Sequence, residues 1–212
     1  QLKSVPISFN EELVKEFSLE KVQKAGAVFN IEKLQWFNSQ YIRSKSKPEL
    51  ALLCVPYWQA AGILEVEKDG YLRIGSAKVT IKDTQEDVSL QWLEKVAGLF
   101  QERLKALSEI VELSKFLFVD LPQYDKELLR WKETSWEVIT DNLQWVRSVL
   151  EKLPPEQFEV KVLNDLLMQG AKERGVGETL WPLRVALSGL KASPGPFEIA
   201  EVLGKDSALE RI

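Results

Sequence analysis

The chain has 212 residues, 45% hydrophobic and 28% charged, with a formal net charge of -4. That balance supports a buried core, in one domain or a few small ones, and argues against disorder. The chain has no histidine and a single cysteine, which excludes within it a Ser-His-Asp triad, a Cys-His pair, an HExxH metal helix and every Cys/His zinc site.

The cysteine, Cys54, fits a reducing compartment, where it reads as a small buried apolar side chain. Phosphate-cradling loops also fail: Gly175-Val176-Gly177 lacks a third glycine in place, and Gly204-Lys205 is followed by Asp206. Carboxylates are plentiful, but the sequence does not separate a general acid from a solvated helix face. The acidic balance argues against indiscriminate polyanion binding, so any surface for a polyanion has to be a local basic strip.

Gln1 stands where an initiator Met is absent and reads as the cut edge of a longer protein, with no export signal behind it. Ser8-Phe9-Asn10-Glu11 has capping-box spacing ahead of Leu13, Val14 and Phe17, which predicts a helix start. Asn30 is a candidate cap for a second helix carrying Leu34, Phe37 and Tyr41, its face widened by Trp36 and Ile42. Ser46-Lys47-Pro48-Glu49 reads as a break followed by a new helix, because proline is tolerated where no amide donor is needed. The apolar run Leu50 to Leu64 is too short to span a bilayer, which needs roughly 20 residues, and reads as core. Gly70 to Asp83 is left open between a hairpin and a loop.

From Asp87 to about Ala106 the apolar residues Leu93, Val96, Phe100 and Leu104 predict one long amphipathic helix, and Ile110, Leu113 and Leu117 continue the pattern. Leu121-Pro122 marks a break. Beyond it Trp136, Ile139, Leu143, Val146 and Leu150 form another face, ended by Pro154-Pro155. Leu163, Leu166 and Leu167 then lead to a stop at Gly175. Pro182 to Gly189 and Pro196 to Gly204 read as short helices opened by proline and closed by glycine. The expected fold class is mainly α, built of small helical domains.

The run Val28-Phe29-Asn30-Ile31-Glu32-Lys33-Leu34-Gln35-Trp36-Phe37-Asn38-Ser39-Gln40-Tyr41-Ile42-Arg43 resembles a signature of the bacterial and organellar glutamyl-tRNA synthetases. There, a Phe-Asp-Leu-Glu-Lys-Leu run leads to Trp-x-Asn-x-x-Tyr-Ile-Arg after the class I catalytic core. Trp181-Pro182-Leu183-Arg184-Val185-Ala186-Leu187-Ser188-Gly189, Ser193 to Ile199 and Leu203-Gly204-Lys205 are similar to the family's terminal helical region. The family's lysine loop, Lys-x-Ser-Lys-Arg, is not found, since Ser44-Lys45-Ser46-Lys47 lacks the arginine and follows the signature. The resemblance implies that catalysis sits upstream, with ATP and Mg needed only there and no cofactor in this chain.

It further implies a stem-contact helical segment over 1–46, a first helical anticodon-binding domain over 47–121 and a second over 122–212. The implied partner is tRNA(Glu), bound by a cytoplasmic or organellar-matrix monomer without DNA or membrane contact. Glu102-Arg103-Leu104-Lys105-Ala106-Leu107 resembles the family's Glu-Arg-x-Lys-Thr-Leu, in which the arginine reads the third anticodon base, a cytosine. The bland reading of Arg103 is a solvated arginine on a helix. Arg184 matches a Pro-Leu-Arg beside the other anticodon bases, or serves a structural ion pair. Trp181 either stacks on a base or belongs to the core. Pro194, Gly195, Pro196 and Phe197 make a rigid turn that either approaches the anticodon or only stops a loop. Arg43, Lys45 and Lys47 are implied phosphate contacts, against the reading that they are merely solvated. The competing functional classes are a helical protein-binding module and a carboxylate-based enzyme.

Overall fold

The computed structural model describes residues 14, 15, 17, 18, 29–66 and 79–212. The capping box at Ser8 to Glu11 and most of the open Gly70 to Asp83 segment lie outside the described residues. In chain order the elements are α1 (Ile31–Arg43), α2 (Lys47–Ala60), β1 (Leu64–Val66), β2 (Val79–Ile81), β3 (Asp87–Val88), α3 (Leu90–Phe100) and α4 (Ile110–Ser114). They are followed by α5 (Trp136–Glu151), α6 (Val160–Arg174), α7 (Val176–Ser188), α8 (Pro196–Leu203) and α9 (Lys205–Arg211). The fold is mainly helical, as expected, with one small antiparallel sheet in the order β1-β2-β3.

Local chemistry sets most boundaries. Asn30 Oδ1 accepts from the Lys33 amide at 2.9 Å to open α1. Ser46 and Glu49 form a reciprocal capping box at the head of α2, where the proline break is predicted. These contacts satisfy amides that have no partner inside the helix. Gly175 has φ 94, which only glycine adopts without strain, and it both ends α6 and opens α7.

Two predicted helices have different limits. The one expected over 87–106 is shorter, because Asp87 and Val88 pair with β2 and Ser89 accepts from the Trp92 amide to start α3 at Leu90. It ends at Phe100, whose carbonyl accepts from both Arg103 and Leu104 in a turn, and the Glu109 carboxylate then takes the Lys105 amide at 2.8 Å. Arg103 therefore projects from a turn, not from a helix. The helix expected to begin at Pro182 begins at Val176, with Pro182 in its interior. Burial of Thr179, Leu183, Ala186 and Leu187 along one helix outweighs the hydrogen bond that proline removes.

Most of the buried apolar side chains form one continuous cluster from Ile42 to Ala208. Trp58 and Trp92 both pack on Phe118, with ring centroids 5.5 and 5.3 Å away. The polar edges are satisfied: Trp58 Nε1 donates to Ser114 Oγ at 3.0 Å, and Trp92 Nε1 donates to the Val202 carbonyl at 2.8 Å. The Trp92 bond and a Lys95–Glu201 ion pair join α3 to α8, so the residues before and after Pro122 are packed together.

Candidate nucleic-acid interface

Arg43, in the last turn of α1, pairs with Glu102 Oε2 at 2.9 Å and donates to the Glu102 carbonyl at 2.9 Å. Gln101 Nε2 donates to the carbonyls of Ile42 and Lys45 at 2.9 and 2.8 Å. These bonds clamp the end of α1 onto the turn that follows α3. Arg43 is thus largely committed within the protein.

Arg103, which follows Glu102 in the chain, is exposed. Among the described residues its side chain makes no ion pair or hydrogen bond. It lines a surface depression of about 440 Å³ with Gln35, Trp36, Arg43, Glu102 and Lys105. A guanidinium held at the rim of such a depression keeps its planar set of donors available to a ligand.

Arg184 comes from α7. Its guanidinium lies 4.5 Å from the centroid of the Trp181 ring, and its Nη2 donates to the Lys191 carbonyl at 3.0 Å. Burial, and secondly the positive charge of Arg103, lower the Arg184 pKa from its ordinary value. The charge of Arg103 thus reaches Arg184, although the two come from opposite sides of Pro122. The positive charge of the two guanidiniums favours a phosphate or an electron-rich base edge, although Glu32 and Glu102 also line the Arg103 depression.

Trp181 is half-buried. Its Nε1 donates to the Leu128 carbonyl at 2.8 Å, and its ring meets Trp131 at 5.0 Å with an interplanar angle of 44°. Trp131 lies against the backbone of Gly177, where a methyl group would come within 2.2 Å of its Nε1. Pro194 and Phe197 are buried, Phe197 with 8% exposure, and Pro196 is the first residue of α8. This turn offers backbone rather than an aromatic face. Lys45 and Lys47 are exposed; Lys45 borders a separate apolar depression with Tyr41, Leu53 and Tyr57, and the Lys47 stem lies over Gly98.

The structure thus brings Arg43 and Arg103 together in one depression and sets Arg184 on Trp181. It adds Lys105, Trp131 and Lys132, which sequence reasoning missed. The Lys132 ammonium lies 5.5 Å from the Trp131 ring centroid. The run Arg130-Trp131-Lys132, an aromatic between two cations, was the available signal.

A family described as an anticodon binding domain matches residues 49–212. The chain belongs to that family. It is 34% identical over 207 residues to a glutamate–tRNA ligase of Clostridium acetobutylicum, covering 95% of the chain and 37% of the relative. It is 32% identical over 204 residues to the corresponding ligase of Pelodictyon phaeoclathratiforme, covering 95% and 37%. The chain thus spans little more than a third of the length of these curated relatives. A crystal structure of a glutamate tRNA ligase from Elizabethkingia meningosepticum in complex with its amino acid superposes with a TM-score of 0.72 at 26% identity, covering 94% of this chain and 35% of that one. The anticodon-binding fold is therefore shared along nearly the whole chain.

Proposed function

We propose that this chain is the tRNA(Glu)-recognising part of a glutamate–tRNA ligase, and that it reads the anticodon with Arg103 and Arg184. The observation that carries this reading is the placement of the two arginines, Arg103 exposed at the rim of a depression and Arg184 half-buried against an indole. Anticodon bases are unpaired, so a protein reaches their pairing edges directly. Arg103 donates to the acceptor atoms of the third base, a cytosine. Arg184, held by Trp181, meets the other anticodon bases. Lys105, Lys45 and Lys47 meet phosphates, and Arg43 holds the Arg103 turn in place.

The stem-contact segment covers 1–46, and the two anticodon-binding halves cover 47–121 and 122–212. In the parent protein ATP and Mg serve aminoacylation, while this chain contributes recognition and is inactive alone. It works as a monomer in the cytoplasm or an organellar matrix. Among the described residues no helix is long and apolar enough to cross a membrane.

The test is titration of the chain with the tRNA(Glu) anticodon stem-loop and with an unrelated stem-loop of equal length, at several salt concentrations. Preferential binding that weakens as salt rises is expected, with no ATP–pyrophosphate exchange. Equal affinity for both RNAs, or measurable exchange, contradicts the reading.

A further inference from the structure

We propose that Arg211 is a positioning residue, whose guanidinium clasps the two halves of the chain and so sets the placement of Arg103 relative to Arg184. The inference rests on the reading of those two arginines as anticodon contacts.

Arg211 is only 7% exposed, although arginine is rarely buried without a partner. Among the described residues its hydrogen-bond partners are all backbone carbonyls. Nε donates to Asp120 at 3.0 Å, Nη1 donates to Phe116 at 2.9 Å, and Nη2 donates to Val119. Nη1 also donates to Leu187 at 2.8 Å. The first three carbonyls belong to the stretch that closes the first half, and the last belongs to α7.

Each side leads to one of the two arginines. Leu187 lies one turn beyond Arg184 in α7, so fixing its carbonyl fixes the helix that carries Arg184. On the other side the Phe116 ring packs edge-on against Phe100, with centroids 6.4 Å apart. The Phe100 carbonyl holds the turn containing Arg103. Arg211 thus ties together the two supports by a single planar group with donors pointing several ways. Lysine has three donors on one atom and cannot span these carbonyls. Burial lowers the Arg211 pKa to about 10, with opposing contributions from Asp120 and Glu210, so the charge is retained at neutral pH.

The test uses the full chain with Glu112 and Lys172, both exposed, replaced by cysteine and spin-labelled in a Cys54→Ala background. Distance distributions between the halves are compared for Arg211, Arg211→Lys and Arg211→Gln. The same proteins, unlabelled, are titrated with cytosine-ending and guanine-ending anticodon stem-loops. A narrow distribution is expected for Arg211 and a broad one for Arg211→Gln, with helicity unchanged and the affinity ratio reduced at least threefold; Arg211→Lys falls between. An unchanged ratio in folded Arg211→Gln overturns the proposal, whatever the distances do. So does loss of helicity in both variants, which makes Arg211 a folding residue. If the unsubstituted protein binds neither stem-loop, the anticodon reading fails, and the distance arm still reports on the clasp.

Discussion

The Arg184 guanidinium rests 4.5 Å from the centroid of the Trp181 ring, while the indole Nε1 is tied to the Leu128 carbonyl at 2.8 Å. The ring is therefore fixed at one edge and offers its face to the cation. Trp181→Phe keeps the face and loses the hydrogen bond, so a stability loss of about 1 kcal/mol and near-normal RNA binding are expected. Trp181→Ala removes both, and with the ring half-buried the loss should reach about 2 kcal/mol, below the ~3–5 kcal/mol of a fully buried aromatic. Binding to the anticodon stem-loop should fall with it. Urea denaturation and titration of both variants check this; equal binding by both would show that the ring does not orient Arg184.

Gly177 sits in the first turn of α7 beneath Trp131, where a methyl group would approach Trp131 Nε1 to 2.2 Å. Alanine has the better helix propensity by about 1 kcal/mol, but displacing an indole packed on Trp181 costs more. Gly177→Ala should be net destabilising by about 1 kcal/mol, out of a gross ~1–3 kcal/mol for overpacking. The near-UV circular dichroism of the Trp131–Trp181 pair should weaken. A more stable variant with an unchanged spectrum would contradict the packing described.

Cys54 is fully buried, and burial pushes its thiol pKa from the ordinary 9.0 up to about 12. Below pH 9 both the folded and unfolded chains hold the proton, and the stabilising contribution is complete. As pH rises through the window from 9.0 to about 12, the unfolded chain loses the proton first, so stability is lost. The urea midpoint should therefore fall more between about pH 8 and about pH 10.5 in the native chain than in Cys54→Ala. In the folded protein the thiol should also react slowly with Ellman's reagent. Rapid reaction would show that Cys54 is accessible.

The parts of the fold legible in the sequence are those decided within a few residues. The caps at Asn30 and Ser46, the turn at Gly175 and the proline-to-glycine span of α8 follow from local hydrogen bonds and from φ. The limits that differed depend on distant partners. Asp87 and Val88 leave the helical pattern because a strand is there to receive them, and α7 runs through Pro182 because its flanks are buried. The candidate site divides in the same way. Arg103 and Arg184 stand in recognisable segments, whereas nothing local shows that Trp131 meets Trp181 or that Arg43 is tied to the turn that carries Arg103.

Arg103 carries the central claim. Replacing it with glutamine removes a permanent charge and a rigid set of donors from an exposed turn, so the fold should survive. If its guanidinium donates to the cytosine at the third anticodon position, its loss should cost about 1–3 kcal/mol of discrimination against guanine there. The decisive measurement is titration of the native chain and Arg103→Gln with cytosine-ending and guanine-ending anticodon stem-loops at one fixed salt concentration. The account predicts that the affinity ratio collapses in the variant, while affinity for the cytosine-ending loop falls less than the ratio does. An unchanged ratio would contradict it and leave Arg103 a solvated surface residue.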